Sequence, residues 1–201
     1  MGKKKKQNLE IVRIIACGVF KPALEHLKVE ERYPNVCITY LESSLHVRPQ
    51  ELQEKLLKQF EAAEQAGERA ICLYGNCIAG INDLCEEHGV LKVPGEFCHD
   101  ILLGPERFKQ FIEETAGTYF MEQEIIDNFD MHCREPLELD DEVMRRYCFE
   151  HYKRVMYVRQ PSDPSLVERV SEIADFLELE LEIQDADYSY LEKNITDLVE
   201  R

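Results

Sequence analysis

The stretch that decides the fold runs from Ala70 to Gly80, Ala-Ile-Cys-Leu-Tyr-Gly-Asn-Cys-Ile-Ala-Gly. After a short helical segment a second stretch follows, Val90 to Asp100, Val-Leu-Lys-Val-Pro-Gly-Glu-Phe-Cys-His-Asp. Each starts as a short apolar run bounded by glycine or proline, which is typical of a buried strand in a parallel sheet. A cysteine follows each run, Cys77 in the first stretch and Cys98 in the second. We therefore expect two strand ends to bring thiol groups to one edge of a sheet.

The same pattern continues on both sides of this stretch. The apolar run 11–20 predicts a strand that ends at residues 16–18. Further strands are predicted over residues 36–41, 154–159 and 179–183, with a shorter extended piece over 117–120. Between them, apolar residues recur at helical spacing, as in the helix predicted to open at Pro49 and to stop at Gly67. Alternation of strands and helices indicates an α/β fold with a mostly parallel, Rossmann-like sheet and helices on both faces.

The same sequence patterns predict the domain organisation. Residues 1–10 predict a basic, solvated tail, and residues 11–201 predict a single α/β domain. The segment 134–140, which contains Glu135-Pro136, is where a boundary would fall if the domain is divided into two lobes.

Composition limits the classes of partner and compartment. The 201 residues carry 40 acidic and 24 basic side chains, a formal net charge of -16, which argues against nucleic acid or an anionic membrane as the main partner. No apolar run approaches the roughly 20 residues of a membrane helix, and the N-terminus lacks the apolar stretch of a signal peptide. The sequence predicts a cytoplasmic protein. In a reducing compartment its eight cysteines, none spaced as CxxC, are metal ligands, catalytic groups or buried thiols.

A candidate site follows from the rule that open α/β sheets bind ligands beyond the carboxyl ends of their strands. The residues that follow the first four predicted strands are Cys17, His46, Cys77 and Cys98. Three thiolates suit zinc or an iron–sulfur cluster, with His46 or His99 as a fourth ligand. The alternative is that each thiol is an ordinary small side chain near a turn. We assign the core to Cys37, Cys72, Cys85 and Cys148, and leave Cys133 unassigned.

The residues beside the thiols predict contact with a cofactor. Gly18, Gly75 and Gly80 permit close approach of a ligand to the backbone, and Tyr74 precedes the second of them. The spacing Gly-x4-Gly lacks the Gly-Lys-Ser/Thr ending of a P-loop, so a tight strand-to-helix turn is the alternative. Asp100 is placed to orient His99, as carboxylates beside ligating histidines do.

Several of these residues together resemble a known family, domain-of-unknown-function family 1638. The similar features are Ala16-Cys17-Gly18-Val19, Leu45-His46 with Pro49 and Leu52, Tyr74-Gly75-x-Cys77 with Gly80, Val93-Pro94 leading to Cys98, and Gly117-Thr118-Tyr119. The family pattern has glycine where Ile78 stands and His-Asp where Glu96-Phe97 stand. The resemblance implies a companion of corrinoid-dependent methyltransferase systems in anaerobic bacteria and methanogenic archaea, with a corrinoid protein or a methyltransferase as partner.

Three functions are consistent with these features. The first is a cysteine-ligated metal protein, with zinc or an iron–sulfur cluster, acting in or alongside corrinoid or one-carbon metabolism. The second is a metal-free enzyme in which one cysteine is a nucleophile or accepts a methyl group. The third is a non-catalytic module that binds a small anion or a protein. The sequence assigns no catalytic residue and no oligomeric state.

Overall fold

A computed structural model describes residues 10–201, so residues 1–9 of the predicted basic tail lie outside the described residues. The described chain has seven strands, and every strand pairing in it is parallel. Four strands form a first sheet in the order β2-β1-β3-β4: β1 Val12–Cys17, β2 Val36–Leu41, β3 Arg69–Leu73 and β4 Leu91–Lys92. Three form a second sheet in the order β5-β6-β7: β5 Thr118–Met121, β6 Arg154–Arg159 and β7 Glu180–Asp185.

Helices connect the strands of both sheets. They are α1 Lys21–His26, α2 Val29–Arg32, α3 Pro49–Ala66, α4 Ile81–Glu87, α5 Cys98–Leu103, α6 Pro105–Glu114, α7 Gln123–Asp127, α8 Glu142–Phe149, α9 Val167–Leu177 and α10 Ser189–Val199. Tighter 3-10 turns follow β1 and β2, over Gly18–Phe20 and Ser43–Val47, and a π-type turn covers Asp130–Arg134.

The predicted fold class, α/β with parallel strands and flanking helices, is confirmed. The strands are divided between two sheets, and the change of sheet falls between Lys92 and Thr118. The short β4 ends before Pro94, which has no N–H to continue a ladder, and α5 and α6 then carry the chain to a new sheet. The segment 134–140 connects β5 to β6, both of which belong to the second sheet.

The described residues form two hydrophobic cores, and the first also includes Phe120, Met156 and Val158 of the second sheet. In the first, Ile14 and Ile15 of the central strand β1 are fully buried, and Leu52, Leu56 and Phe60 of α3 pack beside them. The second is built around β6 and α9. The C-terminal helix α10 returns to the first core, where the Arg69 guanidinium donates to its last carbonyls, at 2.6 Å to Leu198 and 2.8 Å to Val199.

The predicted end of the first strand at residues 16–18 is confirmed. β1 ends at Cys17, and residues 18–20 form a 3-10 turn. The stop of α3 at Gly67 is confirmed, since this glycine adopts a left-handed φ of 67°. Within the described part of the chain, no helix is both long and apolar enough to span a membrane.

Candidate thiol site

A cavity of about 320 Å³ lies where the carboxyl ends of the first sheet meet the end of β5. The first sheet and its loops contribute Cys17, His46, Cys77 and Cys98 to its wall. The second sheet contributes the residues that follow β5, Glu122, Glu124 and Ile125. The position agrees with the general location of ligand sites in parallel α/β sheets.

Three separate elements supply the three thiols. Cys17 is the last residue of β1, Cys77 lies in the turn after β3, and Cys98 is the first residue of α5 rather than a strand end. The thiols of Cys17 and Cys77 both affect the pKa of Cys98, so the Cys98 thiol neighbours both of them. We call these three side chains the thiol row, with Cys98 at its centre.

In the thiol row, the protonated thiol is favoured over the thiolate for Cys77 and Cys98. The hydrogen bond with Cys98, followed by burial, raises the pKa of Cys77 well above its ordinary value. The contact with Cys17, with burial adding to it, raises the pKa of Cys98. Both thiols are therefore neutral at pH 7 and hydrogen-bond to each other as weak donors and acceptors.

The side chains in the structure do not form a complete metal-binding site. Among residues 10–201, no group of three or more histidine, cysteine, aspartate or glutamate side chains is arranged so that it could hold a metal ion.

Three imidazoles lie on the same cavity: His46, His99 and His132. The Nδ1 atom of His46 is 2.7 Å from the carbonyl oxygen of Ser43, which can only accept, so Nδ1 is the donor. That bond leaves Nε2 of a neutral His46 as a free acceptor or ligand atom. Burial, with a smaller contribution from His46, lowers the pKa of His99 to about 4. The buried Nε2 of His99 has no hydrogen-bond partner among the described residues.

Two carboxyl groups form the opposite wall. Glu122 is only 3% exposed, and its side chain accepts hydrogen bonds from the N–H groups of Glu124, at 2.7 Å, and Ile125, at 3.3 Å. Burial is the main reason that the pKa of Glu122 is raised to about 8. Glu124 accepts a hydrogen bond from the Ser43 hydroxyl, which joins the two sheets across the cavity.

Tyr74 and the neighbouring glycines have different roles. Tyr74 is 1% exposed, and burial followed by the nearby thiols raises its pKa. A Cβ atom at Gly75 would lie 2.9 Å from the Glu96 carbonyl oxygen, so this glycine admits the protein's own chain. Gly80 adopts a φ of 72° at the start of α4, and a Cβ at Gly18 would be 3.3 Å from the Leu41 carbonyl oxygen. Chain packing and turn geometry account for these three glycines.

The remaining cysteines divide into two groups. The core assignment is confirmed for Cys72 and Cys85, which are 0% and 2% exposed and lie within hydrogen-bonding reach of each other. It is wrong for Cys37 and Cys148, which are half-buried. The thiol of Cys133, which had no assignment, lies 3.1 Å from the hydroxyl of Tyr119.

The prediction that Asp100 orients His99 is wrong. One carboxylate oxygen of Asp100 accepts from the N–H groups of Glu96, at 2.8 Å, and Phe97, at 3.3 Å. Asp100 therefore fixes the loop that precedes Cys98. The first turn of α5 directs its side chain back to that loop and not toward His99.

The residues of the cavity wall that sequence reasoning missed include Ser43, Glu122, Glu124 and His132. The rule used for the thiols points to Glu122, since it directly follows β5. His132 offered no such signal, because the π-type turn that carries it has no sequence pattern of its own.

A larger cavity of about 1070 Å³ adjoins the first and shares the side chains Asn76, Glu96, Phe97 and His99 with it. Its wall includes a run of stacked rings. Phe97 lies 5.5 Å from Phe108, Phe108 lies 4.8 Å from Phe120, and Phe120 lies 5.6 Å from His99. The thiol site is thus open on one side to an aromatic groove.

Comparison with protein families matches residues 40–195 to one family, described as "Protein of unknown function (DUF1638)". No curated protein and no solved structure matches the chain.

Proposed function

Since this chain belongs to the family of proteins of unknown function DUF1638, whose description names no chemistry, we propose a function from the cavity itself. The protein binds a thiophilic metal, either zinc or an iron–sulfur cluster, through Cys17, Cys77 and Cys98. The observation that carries the proposal is the position of the Cys98 thiol, between the other two thiols, on the wall of one cavity.

The donor set suits such a metal. Three sulfur ligands with one further position favour zinc or a cluster with one non-cysteine site over calcium or magnesium, which prefer oxygen. His46 supplies a fourth donor, because the bond from Nδ1 to Ser43 leaves its Nε2 free. Zinc–sulfur bonds of about 2.3 Å require the three sulfur atoms to turn toward one centre.

Metal binding to this row must release protons, because the ligands are thiolates and the thiols are neutral. Imidazole nitrogens line the same cavity and offer acceptors for those protons. The side that opens on the aromatic groove would leave a ligated metal accessible to an organic substrate.

The other two functions fit the cavity less well. A metal-free nucleophile requires a depressed thiol pKa, whereas the pKa values of Cys77 and Cys98 are raised. A small anion would face Glu96, Glu122 and Glu124 on the cavity wall. The corrinoid or one-carbon setting, with a corrinoid protein or a methyltransferase as partner, remains a prediction of the family resemblance and forms part of the proposal.

The test is elemental analysis and visible spectroscopy of the full chain purified without oxygen. We expect about one metal site per chain, brown with charge-transfer absorption for a cluster and colourless with zinc. Cys98→Ser should abolish binding, whereas the matched Cys85→Ser, a thiol outside the row, should retain it. A wild-type protein without metal after loading with iron and sulfide or with zinc would contradict the proposal.

A further inference from the structure

The aromatic groove beside the thiol site gathers rings from distant parts of the chain. They come from the loop before α5, from α6, from β5, from the segment before β6 and from α10. The volume of the groove, about 1070 Å³, is at the upper end of the range of ligand cavities in proteins, roughly 300–1,000 Å³. Its wall contains six rings: Phe97, Phe108, Tyr119, Phe120, Tyr152 and Tyr190.

Three of these rings form a strip that runs from the surface inward. Phe97 is 54% exposed, its neighbour Phe108 is half-buried, and Phe120, next along the strip, is 8% exposed. Their ring centroids are 5.5 Å and 4.8 Å apart, within the range of stacked aromatic pairs. Apolar surface that faces water in a concave site is covered favourably when a ligand binds. A flat ring that stacks on Phe97 and Phe108 would continue the strip.

The charged groups of the wall do not favour an anion. Both lysines of the wall have partners: Lys109 pairs with Glu113 at 3.6 Å, and the Lys92 ammonium donates to the Gly95 carbonyl oxygen at 2.8 Å. Glu96 adds a carboxylate to the same wall, and the net charge of -16 opposes an anion as well. The groove is therefore a poor site for a phosphate or a carboxylate.

The polar group nearest to the exposed end of the strip is a carboxamide. Asn76 is exposed on the groove wall, and its backbone N–H donates to the Glu96 carbonyl oxygen at 2.6 Å. The preceding residue, Gly75, packs so closely that an added Cβ would lie 2.9 Å from the Phe97 Cα. These two contacts place Asn76 beside Phe97. A carboxamide is both donor and acceptor, so it pairs with a ring edge that carries an acceptor next to a donor.

We infer that the aromatic groove binds an uncharged, flat heteroaromatic molecule with an amide-type edge, the ring chemistry of flavins, pteridines and purines. The ring stacks on Phe97 and Phe108, and its edge forms hydrogen bonds with the carboxamide of Asn76. His99 lies on the walls of both the groove and the thiol cavity, so the inner end of the ligand lies beside the thiol site. The inference goes beyond the proposed function, because it holds for the chain with or without metal.

The probe for this site is riboflavin, which is uncharged, carries such an edge and loses fluorescence when it stacks on an aromatic ring. Titration with the metal-free full chain should quench riboflavin fluorescence with saturation at a single site. Phe97→Ala should bind riboflavin roughly tenfold more weakly, the effect of one lost stacking partner. The matched control is Tyr147→Ala, which removes a ring that is 74% exposed on α8 and outside the groove wall. It should keep the wild-type affinity.

Two further comparisons test the edge and the charge of the ligand. Asn76→Ala should weaken riboflavin binding several-fold, because the ring edge loses a hydrogen-bonding partner. Flavin mononucleotide, which adds only a phosphate, should bind more weakly than riboflavin. Wild-type affinity in Asn76→Ala would overturn the amide-type edge, and tighter binding of flavin mononucleotide would overturn the uncharged ligand.

The remaining outcomes decide the inference as a whole. A wild-type chain that does not bind riboflavin up to its solubility limit would overturn it, as would equal affinities of Phe97→Ala and Tyr147→Ala, with circular dichroism confirming that both variants fold. A chain that binds riboflavin but no Zn²⁺ would contradict the proposed function and leave this inference intact. A chain that binds Zn²⁺ but no riboflavin would do the reverse.

Discussion

The two groups of neighbouring thiols differ in what surrounds them. Cys72 and Cys85 contact each other inside the core, and the pKa of Cys72 is raised by that contact and by burial. The thiol row makes similar sulfur contacts but opens on a cavity that also holds imidazoles and carboxyl groups. Proximity of thiols alone therefore does not make a binding site. What distinguishes the row is a cavity for a ligand and groups that can accept protons.

The largest expected difference between the groups is in alkylation. Without added metal, iodoacetamide should modify Cys77, which is half-buried at the cavity, at least roughly 100-fold faster than Cys72 or Cys85, which react only after local or global opening. Peptide mass spectrometry against time measures this ratio, with the half-buried Cys37 as a reference thiol. Zn²⁺ should slow the reaction of Cys77 and leave that of Cys37 unchanged. Equal alkylation rates at Cys77 and Cys72 would show that the two groups of thiols do not differ in accessibility.

A substitution at Gly75 should disturb the thiol row and leave the pair Cys72 and Cys85 intact. The Cβ atom added by Gly75→Ala would lie 2.9 Å from both the Glu96 carbonyl oxygen and the Phe97 Cα, so the loop leading to Cys98 must shift. We expect a stability loss of about 1–3 kcal/mol, as for other overpacked positions, and weaker Zn²⁺ binding. Urea unfolding and Zn²⁺ titration measure the two effects.

Gly67→Ala is the matched control for this change. It introduces strain at a left-handed φ of 67°, where nothing lies within 4 Å of the added Cβ, at the opposite end of β3 from Cys77. It should reduce stability without changing Zn²⁺ affinity. A Gly75→Ala protein with wild-type Zn²⁺ affinity would show that the loop does not position Cys98.

The smallest expected effect is on the pH dependence of stability, through the carboxyl group of Glu122 on the cavity wall. The pKa of Glu122 is raised to about 8 in the fold and is near 4.5 when unfolded. The folded protein therefore binds more protons between these values, so the stability contributed by protonated Glu122 is complete below pH 4.5 and is lost as pH rises through 8. The slope from one such group is at most about 1.4 kcal/mol per pH unit.

Glu122→Gln should flatten that part of the stability profile, because an amide oxygen can still accept the N–H bonds but does not titrate. Unfolding free energies from pH 5 to pH 8 measure the slope, with the exposed Glu61→Gln as control. If Glu122→Gln follows the wild-type profile, Glu122 is already ionised at neutral pH and is not a proton donor to the cavity.

The strands and the edge where the thiols lie could be predicted from local pattern. Short apolar runs bounded by glycine and proline gave β3 and β6 to within a residue, and the rule for strand ends brought Cys17, His46 and Cys77 to one edge. These inferences need only the order of elements along the chain and the geometry of parallel sheets.

The division into two sheets could not be predicted in this way. Hydrophobic periodicity shows that a segment is a strand but not which strand it pairs with, and β4 has only two residues to mark the edge of the first sheet. The position of the cavity's carboxyl groups opposite the thiols could not be predicted for the same reason. They face the thiols only because the second sheet places the end of β5 opposite the first.

The order of the site residues along the chain has a consequence for biosynthesis. The three thiols are complete at residue 98, before any strand of the second sheet has been translated, and the carboxyl wall follows at residues 122–124. Chains fold from the N-terminus as they leave the ribosome. A nascent chain would therefore present its sulfur ligands on an open face first and enclose them afterwards, so we expect metal to be delivered most readily during translation. The Ser43–Glu124 hydrogen bond would then close the finished site.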